Sequence, residues 1–256
     1  RIFDAPKVPI PNSLVPKYRD KISTQASFGN ILHDLSRGNS ALASRIITTS
    51  PDVSVSTNLG PWVNQRGVFS LDVRNDVFRD EKVASAQKWL RHGGGQHMEL
   101  GIAESNLFTM LAALGLSGPI FGTRLLPVGT LYDPFIARGL DALNYACYQD
   151  ARFMLVATPA GITLAPEGGA HQSVSTPLIG MGQPGLISFE PAYADELATI
   201  MKWGFEYMQA DDGGSVYLRL STRMINQPDR VMTTELEKGI LKGAYWAIEP
   251  KNNTPL

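Results

Sequence analysis

Residues 152–176 read "RFMLVATPAGITLAPEGGAHQSVST". The stretch opens with an apolar run that shows no alternation. A strand that buries one face alternates apolar and polar residues, whereas one inside a parallel sheet is covered on both faces and does not. The run therefore predicts a central strand of a parallel sheet. The residues after it, 159–176, are rich in Gly, Ser and Thr. They are too many for an ordinary strand-to-helix connection, and long loops in compact domains are usually functional. Within them Glu167 and His171 stand four positions apart, with Gly168 and Gly169 between. Glycine allows turns that point both side chains toward one pocket. Chemistry in open parallel sheets gathers beyond the carboxyl ends of the strands, which is where this loop lies. The same residues also fit a solvated loop without a role.

Strands and helices alternate on either side. "YDPFIARGLDALNYACYQD" (132–150) predicts a helix with Asp133 as cap and Pro134 in its first turn. "PIFGTRLLPV" (119–128) suits a strand. "QHMELGIAESNLFTMLAALGL" (96–116) places Leu107, Met110, Leu111 and Leu114 at helical spacing, with Glu104 where the helix begins. An acidic residue there complements the helix dipole and needs no other reason. Downstream, "GLISFEP" (185–191) predicts a strand and "YADELATIMKWGFEYMQ" (193–209) a helix with Leu197, Ile200, Met201 and Met208 on one face. "DDGG" turns into "SVYLRLS" (215–221), again a strand. Nearer the start, "ISTQASFGNILHDLS" (22–36) is a helix on Phe28, Ile31, Leu32 and Leu35, capped by Ser23 or Thr24, with His33 as a surface or packing residue. "SRIITTS" (44–50) is a strand and "PDVSVSTNLGPW" (51–62) a loop. Residues 68–96 resist placement. "RHGGGQH" (91–97) lacks the spacing of either phosphate-binding fingerprint and reads as a flexible loop.

The fold class is α/β, a mostly parallel sheet with helices on both faces. The domain spans residues 22–228. Residues 1–21, proline-rich and aperiodic, form an extended linker or arm. Residues 229–256 lead into a following C-terminal domain, and the polar ending "KNNTPL" together with the opening Arg1 suggests a piece of a longer polypeptide.

Hydrophobic residues make up 43% of the chain and charged ones 18%, which suits a sizeable core. The net charge of −1 argues against nucleic acid or an anionic membrane held by bulk electrostatics. The single cysteine, Cys147, excludes an intrachain disulfide, fits a reducing cytosol, and lies in a helix as core rather than nucleophile. No apolar run reaches the length of about 18 residues that a membrane span requires, and no signal-peptide pattern opens the chain. A cytoplasmic enzyme is the expectation.

Taken in order, "GIAE" (101–104), an aromatic about thirty residues on, and "PEGGAHQS" (166–173) after a buried strand resemble the pyrimidine-binding domain of transketolase-type thiamine diphosphate enzymes. "ISTQASFGNIL", "QHMELGIAE", "YQDAR", "EPAYADELATIM" and "LEKGILKGAYWA" resemble the middle section of the homodimeric type of pyruvate dehydrogenase, the decarboxylating first component of a 2-oxoacid dehydrogenase complex. The resemblance runs from about Ile22 to Trp246. Each motif alone is weak, and their order and spacing carry it.

The resemblance implies the thiamine diphosphate-binding fold and gives each residue a role. Glu104 matches the glutamate that hydrogen-bonds N1′ of the cofactor pyrimidine. Phe135 matches the aromatic that stacks on that ring, and Tyr132 would line the same pocket. His171 matches a proton-handling histidine, suited because imidazole exchanges protons near neutral pH. Glu167 would contact substrate or orient its neighbours, at a position where transketolases usually carry Asp. Asp52 resembles an Asp near the thiazolium, and equally fits a turn; Asn58 is a weaker candidate of the same kind. No metal ligand is assigned. The Gly-Asp-Gly motif and following Asn that hold the diphosphate and Mg²⁺ in this family are not found here and are expected in a separate preceding domain, so the fragment alone should be inactive. The implied function is oxidative decarboxylation of pyruvate or a 2-oxobutyrate-like 2-oxo acid, with acyl transfer to lipoamide on an acyltransferase partner, in a homodimer. The alternatives are ketol transfer between sugar phosphates, with Arg223 and less readily Arg219 as phosphate ligands, and a non-catalytic dimerisation domain.

Overall fold

The computed structural model describes residues 2–18, 20–72, 77–85 and 87–248. The strands are β1 (Lys21–Ile22), β2 (Ile46–Ser50), β3 (Val68–Phe69), β4 (Arg91–His92), β5 (His97–Glu99), β6 (Leu126–Leu131), β7 (Met154–Ala157), β8 (Leu186–Phe189), β9 (Ser215–Arg219) and β10 (Ile225–Asn226). The α-helices are α1 (Thr24–Arg37), α2 (Ala41–Arg45), α3 (Gly60–Arg66), α4 (Val77–Asp80), α5 (Glu104–Gly115), α6 (Ser117–Phe121), α7 (Leu140–Tyr148), α8 (Pro177–Gly182), α9 (Ala194–Tyr207) and α10 (Thr234–Leu241).

Eight strands form one sheet in the order β4-β3-β5-β2-β6-β7-β9-β8. Every pairing in it is parallel. The only antiparallel pair among the described residues is β1 with β10, a separate two-stranded ribbon.

The missing alternation in β7 has a direct structural cause. Met154 and Val156 enter one apolar cluster, with Phe28, Leu32 and Met201 from α1 and α9. Leu155 and Ala157 enter the other, with Leu107, Leu111 and Leu143 from α5 and α7. β9 does the same, sending Val216 and Leu218 one way and Tyr217 the other. Both sheet faces are thus covered by helices. Each fully buried leucine here contributes about 1.5–3 kcal/mol.

α1 is amphipathic with Phe28, Ile31 and Leu32 inward. Ser23 caps it, its side chain accepting the Ala26 N–H at 3.1 Å. α9 and β8 fall where the sequence places them. α5 starts at Glu104 and buries Leu107, Phe108, Leu111 and Leu114, with Met110 half-buried.

Four local expectations are corrected. The stretch 119–128 is not a strand throughout, because α6 occupies Ser117–Phe121 and β6 begins only at Leu126. The helix expected from 132 begins as a 3-10 turn, Asp133–Gly139, before α7. The loop 51–62 runs into α3, with Pro61 in its first turn. The "flexible" glycine stretch 91–97 is a turn between β4 and β5 that places His97 in the sheet. In the first two cases a helix-compatible or strand-compatible composition crosses a real boundary, and tertiary packing sets where it falls.

The N-terminal segment lies extended on the body. Ala5, Val8 and Leu14 are buried, and the Val8 N–H donates to Gln209 Oε1 at 2.6 Å. At the other end Ile240 of α10 joins the α1/α9 cluster. Arg230 pairs with Asp195 and Glu196 and lies over the Tyr193 and Tyr245 rings. The final stretch "KNNTPL" is outside the described residues, as are 73–76 and 86 of the region 68–96. Among the described residues no helix is long and apolar enough to cross a membrane. Burial pushes the Cys147 thiol up to about 11, so it stays protonated and unreactive near neutral pH.

Candidate active site

The candidate residues all follow carboxyl ends of parallel strands. Asp52 comes after β2, Glu104 after β5, Tyr132 and Phe135 after β6, and Glu167 and His171 after β7. Because the strands are parallel and adjacent, these loops share one rim of the sheet, the place where open α/β sheets bind ligands.

Glu104 opens α5 and is only 7% exposed. Its Oε1 accepts from Arg138 Nη1 at 2.8 Å. The Arg138 guanidinium in turn lies 3.8 Å from the Phe135 ring centroid. One glycine makes this possible. A Cβ on Gly139 would sit 2.4 Å from Phe108 Cδ2 and 3.1 Å from the Glu104 carbonyl oxygen, so only glycine lets the 3-10 turn lie against α5.

Tyr132 and Phe135 are half-buried and stacked, with ring centroids 5.9 Å apart at 27°. His171 stands edge-on to both, 5.4 Å from Phe135 and 6.0 Å from Tyr132. Its Nδ1 is buried and has no hydrogen-bond partner among the described residues. Its Nε2 is 3.7 Å from Glu167 Oε2, an ion-pair distance rather than a hydrogen bond. Gly168, at φ +95, supplies the backbone conformation that turns the chain between them. Glu104, Arg138, Phe135, Tyr132, His171 and Glu167 therefore form one connected set.

Asp52 is exposed and left-handed at φ 66, and its N–H donates to Glu99 Oε1 at 2.8 Å. It sits on the same rim, just after the strand beside β6. Asn58, at φ 63, turns its amide to the Gln25 carbonyl at 3.4 Å and packs against Gly29 of α1.

Several polar residues at the rim escaped the sequence reading. Asp133 is not a helix cap. It is fully buried, and its carboxylate accepts from Tyr217 at 2.6 Å, from Thr176 at 2.6 Å, from Ser173, and from Arg219 Nε at 3.3 Å and Nη2 at 3.2 Å. Arg219 is consequently no surface charge. It is 5% exposed and is also paired with Glu190. Burial, and then the Asp133 charge, push the Tyr217 phenol far above its ordinary range, while Asp133 raises Arg219 against the opposing effect of burial. A signal was present: "VYLRL" puts a Tyr and an Arg on alternate positions of an otherwise apolar strand, and buried donors demand an acceptor. His97 was missed as well. It is fully buried, with Nδ1 2.9 Å from Thr48 Oγ1 and Nε2 3.0 Å from Ser54 Oγ and 3.3 Å from Glu99 Oε2. Burial alone would raise the Glu99 carboxyl, but hydrogen bonds from His97, Ser54 and the Asp52 backbone outweigh it and hold the pKa below the ordinary value. Arg223 is exposed, its N–H donating to Ser221 Oγ at 3.0 Å. Among the described residues no group of three His, Cys, Asp or Glu side chains could hold a metal ion.

The family model for the pyruvate dehydrogenase E1 component middle domain matches residues 14–227. The chain belongs to that family. It is 27% identical over 228 residues to the pyruvate dehydrogenase E1 component of Mycolicibacterium smegmatis, covering 88% of this chain and 24% of that protein. It is 26% identical over 238 residues to the E1 component of Escherichia coli, covering 91% of this chain and 26% of that one. The chain thus spans about a quarter of the length of these relatives. A transketolase from Leishmania mexicana superposes with a TM-score of 0.66 at 20% identity, over 86% of this chain and 28% of that one. The fold is thus the thiamine diphosphate-binding, transketolase-like α/β fold, with a sheet that is parallel throughout its eight strands.

Proposed function

We propose that the chain is the pyrimidine-binding part of a thiamine diphosphate-dependent 2-oxoacid dehydrogenase, acting on pyruvate or a 2-oxobutyrate-like acid and passing the acyl group to lipoamide. The observation that carries this is the meeting at one rim of a nearly buried carboxyl, an aromatic pair and a histidine with an orphaned buried nitrogen.

These residues suit an aminopyrimidine. Glu104 offers an acceptor beside an aromatic face, and Phe135 already carries a planar nitrogen cation, the Arg138 guanidinium, against its ring. Glu104 would hold the proton at N1′, with Phe135 and Tyr132 as the apolar wall. When bound, thiamine diphosphate would supply a nucleophilic carbon and an electron sink for decarboxylation of a 2-oxo acid. His171, edge-on to the wall and backed by Glu167, would exchange a proton at the former keto oxygen. Asp52 would close the pocket from β2. The diphosphate and Mg²⁺ would be held by another part of a longer polypeptide, contributed by the second subunit of a homodimer, so this segment alone would not turn over. A lipoyl-bearing acyltransferase is then the partner, in the cytoplasm.

Sugar-phosphate transfer is less well supported. Arg219, one of its two candidate phosphate ligands, is committed to Asp133 and Glu190. The test is CO2 release from pyruvate, 2-oxobutyrate, 2-oxoglutarate and branched 2-oxo acids by the parent polypeptide with thiamine diphosphate, Mg²⁺ and an artificial electron acceptor. Turnover on a short 2-oxo acid is the expected result. Cofactor binding with no turnover on any of them, and ketol transfer between sugar phosphates instead, would overturn it.

A further inference from the structure

The loop that carries Glu167 and His171 is closed at its base. The Gly161 N–H donates to Ser173 Oγ at 2.9 Å, and the Ser173 N–H donates to the Gly161 carbonyl at 2.9 Å. The Ser173 hydroxyl then donates to Asp133 Oδ2, and Thr176 donates to the same oxygen at 2.6 Å. Asp133 lies between Tyr132 and Phe135 in the chain. Its carboxylate therefore joins the aromatic wall to the foot of the histidine loop, two residues beyond His171.

We propose that Asp133 is a positioning residue, which sets His171 against the Tyr132/Phe135 wall by clamping Ser173 and Thr176. Three observations support this role rather than a chemical one. Asp133 is fully buried, so neither substrate nor cofactor reaches it. Its Oδ2 takes the contacts from Ser173, Thr176 and both Arg219 nitrogens and its Oδ1 that from Tyr217, so both oxygens are engaged by the fold. Its other partners, Tyr217 and Arg219, project from β9, the neighbour of β7, so the clamp is fixed to the sheet core rather than to another loop. Outside the clamp, the loop backbone is tied mainly by its own short turns, among them Glu167 to Leu164, Gly168 to Ala165 and His171 to Gly168. Misplacing a reacting group by 1 Å can cost about 10²-fold in rate, so loosening this foot should be felt at His171.

The consequence for turnover rests on His171 being the proton-handling group proposed above, whereas the clamp itself does not. Two measurements separate them. Hydrogen exchange in the full-length protein reads the clamp directly. Ser173→Ala/Thr176→Val removes both loop-side hydroxyls while leaving Tyr217 and Arg219 on Asp133, so the fold should survive. Peptides spanning 161–173 should exchange about tenfold faster, with β6 and β7 unchanged. Ser173→Thr, which keeps the hydroxyl, should exchange as the wild type does. Unchanged exchange in the double variant would overturn the clamp whatever reaction the protein performs. On a 2-oxo acid that the wild type turns over, the double variant should lose about tenfold in kcat or more, with thiamine diphosphate affinity unchanged and Ser173→Thr restoring the rate. A faster-exchanging loop with wild-type kcat would overturn the positioning role. Absence of any 2-oxo acid turnover by the wild type would count against the proposed function and leave the exchange result to decide the clamp.

Discussion

Asp133 and Glu104 are both buried carboxylates on one rim, and they are used in opposite ways. Asp133 is fully enclosed and held on both oxygens by Ser173, Thr176, Tyr217 and Arg219. Among the described residues the Glu104 side chain bonds Arg138 alone, whose own side chain is 51% exposed. The first arrangement fixes structure. The second leaves a carboxyl whose partner can move aside for a ligand. A buried charge is tolerated in a fold when its partners are complete, and it becomes available for chemistry when they are not.

The largest effect that would sharpen this contrast is on stability. Asp133→Ala should cost about 3–5 kcal/mol, because it leaves Tyr217, Ser173 and Thr176 without their acceptor and Arg219 with Glu190 alone. Removing the Arg138 partner from Glu104, as in Arg138→Gln, should cost only about 0–1 kcal/mol, as half-exposed pairs do. Denaturant unfolding of both variants measures the two losses, and equal losses would break the contrast.

Next comes Gly139→Ala, which drives a methyl into Phe108 and the Glu104 carbonyl. Its expected cost is about 1–3 kcal/mol. The displaced 3-10 turn should weaken thiamine diphosphate binding, read by titration, because Phe135 and Arg138 ride on that turn.

The smallest effect concerns pH and a third carboxylate. Glu99 fixes the 51–58 turn through Asp52 and Ser54, with His97 beside it instead of an arginine. Its folded pKa lies below its unfolded one, so its stabilising contribution is present above the unfolded carboxylate pKa of about 4.3 and is lost as pH falls through the folded value. Melting curves between pH 3 and 6 should therefore show a steeper acid loss in the wild type than in Glu99→Gln. Parallel curves would remove Glu99 from the comparison.

The framework of the fold was legible because its signals are local. The unbroken apolar run in β7 means two covered faces, and the i, i+3, i+4 pattern of α1 means one. Glu104, the aromatic pair and the Glu167/His171 loop stand out through the family resemblance, which rests on the order and spacing of short motifs along the chain. Asp133 does not. Next to Pro134 it has the local appearance of a cap, and its true partners lie 40 to 86 residues away. His97 was hidden for a similar reason: neighbouring glycines suggest a loop, while Thr48, 49 residues earlier on β2, holds it inside the sheet. Arg138 went unnoticed because a basic residue in a helical turn needs no explanation until Glu104 is seen 2.8 Å from it.

The most direct test of the account is Glu104→Gln in the full-length protein. The substitution keeps the side-chain size and the ability to bond Arg138, and removes the charge. CO2 release from the preferred 2-oxo acid should fall by about 10²-fold or more, with unfolding midpoint and the hydrogen exchange of α5 unchanged. Full turnover in that variant would contradict the assignment of Glu104.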